Sequence, residues 1–467
     1  MKNYKHILLS FAVVLLTAGI CHGQLEISVR LNGIVCDSVK LQSINWQKKS
    51  GTNIVLPYSE NVIFKQKASL EPGMYWLSTD TVHVASILLS KEKKQKLSLS
   101  VTPSGATFDD NAENTNYQQY TAKIRDYEQQ LQGLDKEYQD AQRLPAYMLR
   151  TVADSLTARA HRILASRADY EQNVIHNNPN TLLASVVAAS IPMPEIPLEI
   201  YNNPSSIQQF IITHFFDNFP WDDPRIFNTP VAENKFKDYV NFVYQFDRPD
   251  LDTFVVEARK ASSINAKSHR LFFERLDKDL GYYMSDYKVE HTYIKMLQYI
   301  LGTKDLEDFR RVFYEHELAT INKNLRGSIV PNFQIVTDKG DTTSLYDISS
   351  EYMLLFLHNP SCSTCRKVRS IIAKDELLNK AISSGRLKVL TIYLENDAKL
   401  WNTYLRTEAL PQYLHGWNYD QAIEKESLYE TRTIPYMFFL DKDKRVIQKN
   451  ILYDEIDNYI YNYLQIH

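Results

Sequence analysis

Cysteine is nearly absent from this sequence: Cys21, Cys36, Cys362 and Cys365 are the only four in 467 residues. So few sulfurs exclude a small scaffold held by disulfides in place of a core. The one CxxC, Cys362-Ser363-Thr364-Cys365, has no second CxxC and no H-x3-5-H pair to complete a zinc site, so no metal site is read. Glycine is also scarce, at 13 residues against 30 tyrosines, which excludes a fibrous or low-complexity chain. Charge of one sign is missing: 53 basic and 56 acidic residues leave a net −3, with no electrostatic case for a nucleic-acid partner. The short run Lys91-Glu92-Lys93-Lys94-Gln95-Lys96 includes an acid and reads as a solvated turn. Beyond the first twenty residues, no apolar stretch reaches the ~18 residues a membrane span needs.

The N-terminus carries an address. Lys2 and Lys5 precede an apolar run, Ile7 to Ile20, and Cys21-His22-Gly23 precede Gln24. That is the pattern of a secretory signal peptide over residues 1–23. A lipid anchor on Cys21 is disfavoured, because Ile20 stands where that motif wants a small residue. The exported chain would then keep one CxxC pair and one odd thiol. Cys36, in the alternating stretch LNGIVCDSVKLQ, reads as a small buried hydrophobe on a strand.

Length and a 44% hydrophobic content allow about two to four domains. Residues 24–110 read as a small all-β domain, an antiparallel sandwich or meander. Runs such as LEISVRLNGIV, NVIFKQKASL and KLSLSVT alternate between turn signals at Asn32-Gly33, Ser50-Gly51 and Pro72-Gly73. Trp46, Tyr75 and Trp76 read as core or rim packing. Residues 111–328 read as an α-helical domain. Tyr120, Ile124, Tyr127, Leu131, Leu134 and Tyr138 form one apolar stripe, which suits a helical hairpin with 149–175 better than a dimer. His214, Asp217, Asp222 and Asp223 match no ligand spacing, and Asp-Asp-Pro is capping and turn chemistry. Residues 329–467 alternate strands and helices in the order β-β-β-α-β-α-β-β-α, an α/β domain with a mixed sheet.

The chemistry concentrates between Tyr352 and Lys367. An apolar strand, Met353 to Leu357, runs into a turn, His358 to Ser361, and the CxxC opens a helix expected to continue to Ser384. Cysteines at i and i+3 on the first turn can bond to one another. The helix N-terminus favours a thiolate there, and Arg366 and Lys367 add positive charge just beyond. Cys362 would be the nucleophile and Cys365 the resolving residue. A fixed structural disulfide is the competing reading.

The segment 329–467 resembles a thioredoxin domain of the exported, TlpA/ResA-like branch. Three features carry the resemblance: the strand–turn–CxxC–helix, Ile434-Pro435 directly before the strand Tyr436–Leu440, and the hairpin FFLDKDKRVI at 438–447. The resemblance implies a cis bond at Pro435 beside the cysteines, with the Ile434 backbone pairing an extended substrate. It implies a periplasmic thiol–disulfide oxidoreductase that works on protein thiols or disulfides, in the reducing direction, fed by a membrane electron donor. The redox-active Cys362–Cys365 disulfide would stand in for any dissociable cofactor. The upstream segments look like a multidomain arrangement known among exported Gram-negative proteins, with DDPRIFNTPVAENKFKDYV (222–240) the most recognisable stretch.

The departures put turnover in question. The family's buried acid would fall at Phe356 or, in the ResA-type alternative, at Val368, and the usual tryptophan is Ser361. His358 reads either as within reach of the thiolate or, preferably, as a solvated or strand-end histidine. Glu395 and Asp397 are acids at the end of the next strand. The rival reading is a binding or assembly protein that uses the thioredoxin fold as a weakly active or inert scaffold.

Overall fold

A computed structural model describes residues 25–43, 53–80, 82–245, 253–281, 289–303 and 306–466, with 253–256 as backbone. The expected signal peptide, Cys21, Trp46 and the Ser50-Gly51 turn lie outside the described residues. The protein is multidomain: a small β domain, a helical region, and a C-terminal sheet domain of thioredoxin-like fold. Its chain divides into two compact units, Met1–Lys288 and Val289–His467.

The first unit begins with β1 (Leu25–Leu31), β2 (Ser38–Ser43), β3 (Asn53–Pro57), β4 (Asn61–Gln66), β5 (Gly73–Thr79), β6 (Val82–Leu89), β7 (Gln95–Thr102) and β8 (Gly105–Asp109). They form two four-stranded sheets, ordered β4-β1-β7-β8 and β3-β2-β5-β6. Period-two alternation sends Leu25, Ile27, Val29, Leu97, Leu99 and Val101 into one shared core. The purely antiparallel expectation is corrected at one place: β1 and β7 run parallel, with Ile27 opposite Leu97. A parallel pair needs a long crossover, and here the intervening strands supply it. Cys36 is half-buried in the connection between β1 and β2 rather than on a strand, packed against this core.

Helices α1 (Ala112–Ala141) and α2 (Ala146–Asn177) form the expected antiparallel hairpin. Tyr120 stacks on Tyr170, the Tyr127 hydroxyl donates to the Ser166 carbonyl at 3.2 Å, and Arg159 grips Glu137. Next come α3 (Leu182–Ser190), α4 (Pro204–His214), α5 (Pro230–Gln245), α6 (Thr253–Ile264) and α7 (Ala266–Leu280). Phe216, Phe219, Trp221, Phe227, Phe236 and Phe272 meet edge-to-face and tilted between them. Asp223 caps the Pro224–Asn228 turn and accepts from Arg225 and Ser185, which accounts for it structurally.

Several contacts join the helices to the sandwich, and two are especially close. The Asn114 amide is fully buried and satisfies both backbone groups of Leu88, at 2.7 and 3.0 Å. At the start of β5, a Cβ on Gly73 would sit 2.5 Å from the Asn228 carbonyl oxygen. That close approach is available only to glycine.

The second unit opens with α8 (Glu290–Leu301) and α9 (Asp308–Ile321). Its seven-stranded sheet holds β9 (Gln334–Thr337), β10 (Thr342–Ser344), β11 (Tyr352–His358), β12 (Leu387–Tyr393), β13 (Leu414–Trp417), β14 (Tyr436–Asp441) and β15 (Val446–Lys449). The order is β10-β9-β13-β12-β11-β14-β15. The central strand β11 pairs parallel with β12 and antiparallel with β14. The longer helices that follow are α10 (Ser363–Ile372), α11 (Glu376–Ser383) and α12 (Ala398–Thr407), with four-residue helices at Ala422–Lys425 and Ile456–Tyr459. Leu354, Phe356, Val389, Met437 and Phe439 form one face of the sheet, and Val368, Ile372 and Leu378 cover it.

Two expectations change here. The single helix expected from Cys362 to Ser384 is two, because Asp375 accepts from the Leu378 N–H and caps a fresh start. β13, sequence LHGW, has no apolar alternation to announce it; Gly416 lets it lie against Ile335 and Ile392. α8 and α9 lie with the sheet in one compact unit, which begins at Val289. The reason is a buried ion pair. Lys449 on β15 lies 3.3 Å from Glu290 on α8 and also donates to the carbonyls of Ile321 and Lys323. Lys449 stands opposite Phe438 in the ladder, so it faces away from the Phe439 side, and α8 and α9 close over it.

Both close contacts are testable by urea unfolding of the full chain. Lys449→Met leaves the Glu290 carboxylate buried without its nearest cation and should cost about 3 kcal/mol. Gly73→Ala should cost about 1–3 kcal/mol through overpacking. Unchanged midpoints would show that neither contact holds its unit together.

Candidate active site

The hydrophobic effect places the site. Met353 to Leu357 are wholly buried, so β11 is pinned between its two neighbours and delivers His358 and the turn Asn359-Pro360-Ser361 to the sheet edge. Cys362 is the N-cap of α10: its sulfur accepts the Cys365 N–H at 3.2 Å. The same sulfur lies 3.9 Å from the Ile434 carbonyl oxygen, and the Ile434–Pro435 peptide is cis. Both cysteines are free thiols.

The two sulfurs differ in surroundings. Cys362 is partly exposed at the helix N-terminus, where an amide N–H and the helix dipole meet any negative charge on it. Cys365 is 0% exposed. Burial, and then the Cys362 sulfur beside it, push its thiol up to about 12; the Asn359 backbone N–H and the Arg369 charge pull the other way. Cys36, half-buried with Asp80 and Asp37 nearby, is also pushed upward and is no thiolate site.

The other expected site residues fall as follows. Arg366 does not face the sulfurs: its guanidinium donates to the carbonyls of Pro360 at 2.7 Å and Ser361 at 3.1 Å, so it braces the turn. Lys367 is exposed on α10. Phe356 and Val368, where the resemblance would put an acid, are packed in the core. Of the two acids after β12, only Glu395 reaches the site. Its carboxylate accepts from Asn359 at 2.9 Å and Ser361 at 3.2 Å, while Asp397 caps α12.

His358 is corrected most. It does end β11, as one of the expected readings had it, but it stands neither in solvent nor against Cys362: it is completely buried and stacked on Phe356, with ring centroids 5.1 Å apart. Its Nδ1 lies 3.1 Å from a guanidinium nitrogen of Arg369. Arginine can only donate, so Nδ1 accepts and the ring proton sits on Nε2. Burial, with Arg369 and His415 nearby, holds the imidazole well below its usual range, so it is neutral.

Sequence reasoning missed Arg369 and its surroundings. Arg369 is 5% exposed, pairs with Glu408, and lies over the Tyr404 ring at 4.9 Å. The Tyr404 hydroxyl and Thr391 both reach His415 Nδ1, at 3.0 and 2.7 Å. One signal was available: Arg369 follows Cys365 by four residues on a helix, hence one turn along the same face. Its partners on α12 and β13 come from the tertiary fold alone. Among the described residues, no group of three or more His, Cys, Asp or Glu side chains is placed to hold a metal ion.

Fold and site together define a thioredoxin-like domain with a reduced cysteine pair. Residues 165–324 match the model of a domain of unknown function, DUF5106. A thioredoxin-like protein from Bacteroides caccae is 23% identical, over 59% of this chain and 99% of that one, with a TM-score of 0.49. The C-terminal domain of an uncharacterized protein from Bacteroides fragilis is 29% identical, over 29% of this chain and 97% of that one, with a TM-score of 0.29. The thioredoxin domain of a thiol-disulfide oxidoreductase from Bacteroides vulgatus is 18% identical, over 30% and 97%, with a TM-score of 0.26. No curated protein matches the chain.

The neutral, buried His358 has a pH consequence. Its folded pKa lies below the unfolded one, so above pH ~6.5 both states are neutral and stability is complete. Below that, the unfolded chain takes up a proton that the fold refuses, and stability falls by about 1.4 kcal/mol per pH unit. His358→Gln keeps an acceptor for Arg369 and should flatten the slope of unfolding free energy between pH 6.5 and 5 by up to one proton. An unchanged slope would show that His358 is not held neutral.

Proposed function

We propose that this protein is an exported thiol–disulfide oxidoreductase acting on protein substrates. The observation that carries the reading is the unequal cysteine pair. A partly exposed sulfur caps a helix beside the Ile434 carbonyl, and a fully buried one lies a turn behind it. Cys362 as thiolate attacks one sulfur of a substrate disulfide. A Cys362–substrate bond forms and the substrate disulfide breaks, with the first substrate sulfur leaving as a thiol once protonated. Cys365 then gives up its proton and attacks Cys362. The Cys362–Cys365 bond forms, the mixed disulfide breaks, and the second substrate sulfur leaves. Two electrons have passed from the pair to the substrate.

The reducing direction is the favoured one. Ser363-Thr364 between the cysteines brings no histidine to stabilise a thiolate, which argues against a strongly oxidising pair. Ile434 and Pro435 border the nucleophile on the side where a substrate segment would dock. In this reading, residues 1–23 address the chain to the periplasm, and a membrane electron donor reduces Cys362–Cys365 again. A binding or assembly role is the alternative, and the high Cys365 thiol pKa speaks for it because it slows resolution.

One titration decides between them: the reduction potential of Cys362–Cys365 in the full chain carrying Cys21→Ala and Cys36→Ala, read by alkylation mass shift in thiol redox buffers. A value near ~ −270 mV is expected. One near ~ −120 mV would overturn the reducing direction. A pair that never exchanges, or a biological role that survives Cys362→Ser, would leave the assembly reading standing.

A further inference from the structure

The oxidoreductase reading leaves one difficulty, and this inference rests on that reading. Cys365 must ionise to resolve the mixed disulfide, yet it is sealed from solvent and no carboxylate reaches it. The groups that face the pair are few. Cys365 has the Cys362 sulfur, the Asn359 backbone N–H and the Arg369 charge around it; Arg369 in turn meets His358 on β11, Tyr404 on α12 and Glu408 at its end, with His415 on β13 behind Tyr404. Glu395 stands outside, bound to Asn359 and Ser361. His358 cannot act as the base in this arrangement. Its Nδ1 is occupied by Arg369, and its Nε2 carries the proton, with no partner among the described residues.

What remains is a buried cation, Arg369, one turn after Cys365 on the inward face of the same helix. Arg369 is held there on three sides, by neutral His358, by the face of Tyr404, and by Glu408 at the solvent margin. Holding a guanidinium so firmly in a core is costly unless its charge is used or fully paired, and its one carboxylate partner is 37% exposed. We infer that Arg369 is a positioning residue for resolution: its fixed positive charge stabilises the Cys365 thiolate as it forms, so that the proton leaves to water without a dedicated base. His358 and Tyr404 serve to hold the guanidinium in place, and Glu408 tempers its charge.

The electrostatics agree with the geometry, since the Arg369 charge opposes the burial that raises the Cys365 thiol. Each unit by which that thiol rises cuts its thiolate about tenfold, partly offset by a more nucleophilic sulfur, so the net slowing is about three- to fourfold per unit.

The test reads the two half-reactions separately. The full chain with Cys21→Ala and Cys36→Ala is mixed with dithionitrobenzoate. The first burst of thionitrobenzoate reports attack by Cys362 and the second reports resolution by Cys365, each followed against pH. Arg369→Gln should slow the second burst at pH 7 about three- to tenfold and move its pH midpoint up, with the first burst unchanged. Arg369→Lys should recover part of the rate. Glu408→Gln should move the midpoint down and speed the second burst, and it carries the test alone if Arg369→Gln does not fold. Loss of packing alone would move both variants in one direction, and that result, or an unshifted midpoint, overturns the inference. A parent chain with no second burst at all would overturn the oxidoreductase reading itself, and this inference with it.

Discussion

The structure of the C-terminal unit depends on burying β11. Five consecutive residues, Met353 to Leu357, have both faces covered, so the strand cannot slip or tilt without exposing a core residue. That rigidity passes directly into the turn and the first helical position. The amide of Cys365 is aimed at the Cys362 sulfur because α10 must start where β11 stops. Cys362 is placed by packing elsewhere in the sheet. The loop needs only local bracing, which Arg366 and Glu395 provide from opposite sides.

The same core sets the difference between the two sulfurs. A helix that packs Val368 and Ile372 onto the sheet must also turn Cys365 inward, while Cys362, at the N-cap, stays at the rim. The difference follows from helical period alone. Arg369 lies beside that apolar face, and its burial breaks the rule that charges stay in solvent. Such an exception is tolerated when the charge is boxed in by matching partners, and here they come from β11, α12 and the residue that ends α12.

Much of this was legible in the sequence. The strand–turn–CxxC–helix followed from an apolar run next to a helical period, and the α1–α2 hairpin from its single stripe. What could not be read depended on residues far apart in the chain. His358 looks like a turn residue because it is polar and precedes Asn359-Pro360; only Arg369, Tyr404 and Phe356 around it make it a core residue. The Lys449–Glu290 pair joins β15 to α8, and no local pattern in either helix or strand announces it. β13 was missed because four residues with a histidine and a glycine do not alternate. The parallel pairing of β1 and β7 was missed because period-two patterns specify faces and leave strand direction open.

A buried cation and a buried carboxylate solve the resolving-cysteine problem in different ways. A carboxylate accepts the proton and so ties turnover to its own pKa, losing effect when it is itself protonated. A guanidinium never titrates in the accessible range, so its help to a thiolate is constant across pH, and only the thiol's own ionisation appears in the rate. Its cost is structural: the charge must be held in a dry site whether or not the reaction is running. In this chain that cost falls on His358, which must remain neutral to accept from Arg369, and on Glu408, whose half-exposed position limits how far it cancels the charge. Under the proposed mechanism, the stability of the fold at mildly acidic pH and the ease of resolving a disulfide at neutral pH meet in one hydrogen bond, between Arg369 and His358.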